Sequence, residues 1–99
     1  MKIPKSFSIA GLDFTVEIVD NISNGDTYGQ WCDLSSKITI ANRIKIDDVW
    51  KEVPEHIKFN TFLHELFHVF NYYYNTETSE SLAQVFANFA CEFIKTKKE

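Results

Sequence analysis

A chain of 99 residues with 44% apolar side chains, 15% aromatics and only three glycines is too hydrophobic for disorder, and its length suits one domain over residues 1–99 rather than several lobes. The formal charge of -4 is spread along the sequence, and the one basic cluster, Lys95, Lys97 and Lys98, complements the open carbonyls of a helix end, so nucleic acid is not an expected partner. No long apolar run follows Met1–Ser6, which excludes a membrane span and predicts an intracellular, cytoplasmic protein; Cys32 and Cys91, not spaced as a CxxC pair, could form a disulfide, but without an export signal free thiols are expected.

In chain order, Phe7 and Ile9 alternate before Gly11, and Phe14, Val16 and Ile18 alternate after it, which predicts two strands of a hairpin over Ser6–Asp20. Asn21–Asp26 carries turn residues that tolerate positive φ. Tyr28–Asp33 is a short extended piece, Ser35-Ser36 a turn, and Lys37–Ala41 a half-buried strand. Asn42–Val53 has the weakest pattern: Ile44 and Ile46 prolong a strand, and Asp47–Trp50 is a turn of helix or an ordered loop. A long helix is expected from near Pro54, whose missing N–H does no harm at a first helical position, to about Tyr74. After a loop at Asn75–Ser79, a second helix is expected from about Glu80 to Thr96. Strands first and helices last describe an α+β fold, with a three- to four-stranded, mainly antiparallel sheet packed on two C-terminal helices.

The chemistry concentrates in the first helix, at His64-Glu65-Leu66-Phe67-His68. Histidines four apart stand one turn above each other on a helix, so both imidazoles can reach one metal ion, and the intervening glutamate can take a proton from a water beside it. At about 100° per residue, Phe59, Phe62, Leu63, Leu66, Val69 and Phe70 gather on one arc. Thr61, His64, Glu65, His68, Asn71 and Tyr72 gather on the other. That second arc carries ligand and hydrogen-bonding types where a solvated face would carry Lys and Glu, so it is expected to line a cleft. The competing explanation is a pair of unrelated surface histidines.

Catalytic zinc takes three protein ligands and leaves one position open, so a third donor is needed. His56 lies two turns before His64, about 12 Å away along the axis, and cannot share the ion. Glu80 fits better: Ala83, Ala87 and Cys91 fall near its line on the second helix, and small side chains there allow close helix approach. Glu77, in the loop, and Glu92, on the polar side, rank lower. Without a metal role, Glu80 would simply be an acid at a helix N-terminus.

The segments Thr61-Phe62-Leu63-His64-Glu65-Leu66-Phe67-His68 and Glu80-Ser81-Leu82-Ala83-Gln84-Val85-Phe86-Ala87 resemble the minimal zincin-like metallopeptidases, small phage- and mobile-element-encoded proteins related to ImmA/IrrE-type domains. The resemblance covers the last half of the chain well and the strands loosely. It implies Zn2+ held by His64, His68 and Glu80, with Glu65 as general base. No third histidine follows His68, which separates the chain from the three-histidine SprT-like proteases.

The resulting expectation is a gluzincin-like zinc metallopeptidase that cleaves a peptide bond in a protein partner, with an extended peptide paired to an edge strand, either Tyr28–Asp33 or Lys37–Ala41. Tyr28, Tyr72 and Arg43 are candidates for stabilising the oxyanion, although Tyr72–Tyr74 could equally end the helix against the core. Asn71 and Thr61 could orient the imidazoles. Trp31 and Trp50 are expected in the core or at its rim. The alternative is a catalytically silent, metal-stabilised interaction or regulatory module; a metal-free binding protein is a third possibility.

Overall fold

The computed structural model describes residues 2–74, 89, 92, 93 and 95–98. The predicted hairpin forms β1 (Ser6–Ile9) and β2 (Leu12–Val19). Their two-residue connection, Ala10-Gly11, has positive φ at both positions, the conformation that matches the twist of an antiparallel pair. A 3-10 turn at Ser23–Gly25 leads to β3 (Gly29–Cys32), and a tight turn returns the chain as β4 (Lys37–Ala41).

The four strands form one sheet in the order β1-β2-β4-β3. Only part of it is antiparallel. β1 with β2 and β3 with β4 pair antiparallel, whereas β2 and β4 are parallel. A parallel pair needs a long crossover, and the stretch 20–36 provides it, placing β3 outside β4. Lys37–Ala41 is therefore an interior strand and cannot bind a peptide through its backbone; of the two expected edges, only β3 is one.

The weakly patterned stretch folds as a second hairpin, β5 (Arg43–Ile46) and β6 (Val49–Glu52). Asp47 and Asp48 form its turn, both at positive φ, so the expected helical turn or loop is corrected to a hairpin. Trp50 on β6 lies beneath the Arg43 guanidinium and the Lys45 ammonium, 4.8 and 5.2 Å from the ring centre.

The long helix, α1 (Glu55–Tyr74), starts close to where the sequence puts it and continues to the last described residue before position 75. The Pro54 carbonyl accepts its first hydrogen bonds, from Ile57 and Lys58. Phe62, Leu66, Val69 and Phe70 of α1 are buried against Phe7, Ile9, Phe14, Ile38 and Ile40, one face of the sheet. The other face is polar, with an exposed Lys37–Glu17 pair at 3.7 Å that adds little stability.

The fold is thus α+β, with a mixed four-stranded sheet, a two-stranded sheet and one C-terminal helix described throughout. Most of the second expected helix, including Glu80 and Cys91, lies outside the described residues. Phe89, Glu92, Phe93, Lys95 and Thr96 are helical. They close the β1 side of the core: Phe93 contacts Phe7 and Phe62, Phe89 contacts Phe70, and the Thr96 hydroxyl accepts the Ser8 N–H at 2.7 Å. No helix among the described residues is long and apolar enough to cross a membrane.

Candidate metal centre

Apart from Leu63, which is 45% exposed, the apolar arc of α1 turns inward, and this leaves His64 and His68 exposed. Their rings meet edge to face, with Nε2 of each 3.1 Å from the other. Two nitrogens bound at about 2.0–2.1 Å to a tetrahedral zinc stand about 3.3 Å apart. The 3.1 Å separation of the two nitrogens is close to that value and is also that of a direct hydrogen bond between the rings. Either ring nitrogen can donate in this contact, depending on the tautomer.

Glu65 sits one step around the helix, toward β3, and is only 8% exposed. Among the described residues its carboxylate has no hydrogen-bond or ion-pair partner. Glu65 and His64 line a cleft of about 360 Å³ with Tyr28, Gly29, Ile57, Asn60 and Thr61. Of the expected polar arc, Thr61, His64 and Glu65 line this cleft, whereas His68, Asn71 and Tyr72 do not.

β3 forms the opposite wall. The Tyr28 carbonyl accepts the Ala41 N–H at 2.9 Å, and the pairing continues through Gln30–Thr39 and Cys32–Lys37. By the alternation of an antiparallel ladder, the N–H and C=O groups of Gly29 and Trp31 point away from β4, toward the open edge. Among the described residues β4 is the only strand beside β3.

Other sequence candidates separate clearly. Arg43 grips Asp20 through two hydrogen bonds of 2.8 and 2.9 Å, an arrangement that holds the Asp20 carboxyl below its ordinary range. Both line a different cavity, of about 630 Å³, whose Lys58 is likewise paired, with Glu55 at 3.2 Å. Arg43 therefore does not serve the histidine cleft. Tyr72 donates its hydroxyl to Asp33 at 2.9 Å, and this bond raises its pKa. Tyr73 and Tyr74 pack on the core, so the tyrosine run does fasten the helix end. Of the three oxyanion candidates only Tyr28 lines the cleft.

The Thr61 hydroxyl donates to the Ile57 carbonyl at 2.8 Å rather than to an imidazole. Trp31 packs at the rim of the core against Tyr72 and Tyr73. Cys32 is a free, exposed thiol whose pKa is lowered, first by the Ser35 hydroxyl.

Among the described residues no group of three His, Cys, Asp or Glu side chains is placed to hold a metal ion. The expected third ligand, Glu80, lies outside those residues. Gly29 is not among the candidates named from sequence, although a glycine within a short strand marks a close backbone approach. No family model, curated protein or solved structure matches the chain.

Proposed function

We propose that this protein is a zinc-dependent metallopeptidase that hydrolyses a peptide bond in a protein partner. The observation that carries the reading is the 3.1 Å approach of the His64 and His68 Nε2 atoms beside the buried Glu65, which has no partner among the described residues. His64 and His68 would hold the ion, and Glu80 is the proposed third ligand. Bound zinc would supply Lewis acidity toward the scissile carbonyl and lower the pKa of water.

The chain's own groups would do the rest. Glu65 takes the water's proton and returns it to the leaving amine. The open N–H and C=O groups of Gly29 and Trp31 pair with an extended peptide beside the histidines. Tyr28 is the group available to donate toward negative charge developing on the carbonyl oxygen.

Metal analysis of untagged protein, followed by a proteolysis screen, tests the proposal. One zinc per chain is expected, lost in His64→Ala. Glu65→Gln should keep the zinc and lower cleavage by at least about a hundredfold, the scale expected of a general base. Equal behaviour of Glu65→Gln and wild type, with zinc bound in both, would instead favour the catalytically silent, metal-stabilised module.

A further inference from the structure

The distance between the two walls of the cleft is set at one contact. A Cβ built on Gly29 would lie 2.5 Å from the Thr61 Cγ2, 3.2 Å from the Thr39 carbonyl oxygen and 3.4 Å from the Ile40 Cδ1. Thr61 cannot easily give way. Its hydroxyl is tied to the Ile57 carbonyl at 2.8 Å, which fixes the rotamer and aims the methyl at Gly29. Thr39 and Ile40 belong to the neighbouring interior strand, so the strand cannot shift in that direction either. Gly29 does not have a positive φ; what it needs is space, not left-handed backbone.

We infer that Gly29 and Thr61 form a spacer that sets how closely the open edge of β3 approaches the His64–Glu65 face. This makes Gly29 a positioning residue for an extended peptide, and the inference rests on the peptidase reading above. Thr61 precedes His64 by three residues and Glu65 by four, so one helical turn links the spacer to both groups. Gly29 also carries one of the outward-facing N–H and C=O pairs. A side chain there must move the strand by about 1 Å to reach ordinary contact distance, and with it the backbone groups that would bind the peptide.

The test uses the full chain loaded with zinc and two probes, studied by calorimetry. Acetohydroxamate can only chelate the metal, whereas acetyl-leucyl-leucyl hydroxamate can also extend along β3. Gly29→Ala should keep its zinc and its acetohydroxamate affinity while binding the peptidyl probe about tenfold more weakly, as expected when two backbone hydrogen bonds are misplaced. Adding Thr61→Ser, which deletes the opposing methyl and keeps the hydroxyl, should restore peptidyl affinity to within about threefold of wild type.

An equal change with both probes, or no recovery in the double variant, overturns the inference. If Gly29→Ala does not fold, the double variant decides: wild-type peptidyl affinity supports the spacer, and a loss of more than about tenfold overturns it. Zinc uptake by the wild type with no tighter binding of the peptidyl probe removes the strand-pairing step and the spacer with it. Failure of the wild type to take up zinc overturns the peptidase reading itself.

Discussion

Phe62 joins three parts of the chain, contacting Phe7 on β1, Phe59 on its own helix and Phe93 near the C-terminus. It is fully buried. Phe62→Ala should therefore destabilise the fold by about 3–5 kcal/mol, measured by urea denaturation; a loss below about 1 kcal/mol would mean that the site collapses around the cavity. Tyr72 makes a different prediction, because its bond to Asp33 favours the protonated phenol. A pKa raised by folding gives stability that is complete below the ordinary tyrosine value of about 10 and is lost as pH rises through the folded value. Tyr72→Phe should lower Tm at pH 8, and the two proteins should converge as pH climbs above about 10. A gap that stays constant to pH 11 would argue against this coupling.

At the scale of elements, the start and run of α1 over Glu55–Tyr74 were legible, because its apolar arc and its start at Pro54 are local properties. The β1–β2 hairpin was legible for the same reason: its alternation breaks at Gly11. The extended run at Ile44 and Ile46 was legible as β5, but its pairing with β6 was not, because their turn is Asp47-Asp48 rather than a glycine pair. Turn strain at this scale can be measured. Ala10 has φ 53°, where an L-residue with a plain methyl side chain is disfavoured, and Asn-Gly is the preferred pair for such a loop. Ala10→Asn should stabilise the protein by about 0.5–1 kcal/mol. Chemical denaturation that finds the variant less stable would show that the Ala10 environment, where the N–H donates to Glu92 at 2.9 Å, outweighs the turn.

At the scale of the whole molecule, the proposed metal couples to stability, since a ligand that binds only the folded chain stabilises it by mass action. Zinc at a hundredfold excess over its dissociation constant should add about 2.7 kcal/mol, read as a rise in Tm that chelator reverses and His64→Ala abolishes. An unchanged Tm on zinc addition would count against the site. The histidine pair and its glutamate were legible in the sequence because spacing along one helix fixes which side chains share a face. The wall opposite was not. That β3 rather than β4 lies at the sheet edge, that Arg43 and Tyr72 are engaged elsewhere, and that Gly29 rests on Thr61 all follow from pairings between residues distant in sequence. Helical geometry is written into neighbouring residues, so the chain alone determined the motif and the face it occupies. Strand order and the width of a cleft depend on which surfaces meet when the core closes, and only the tertiary structure decided those.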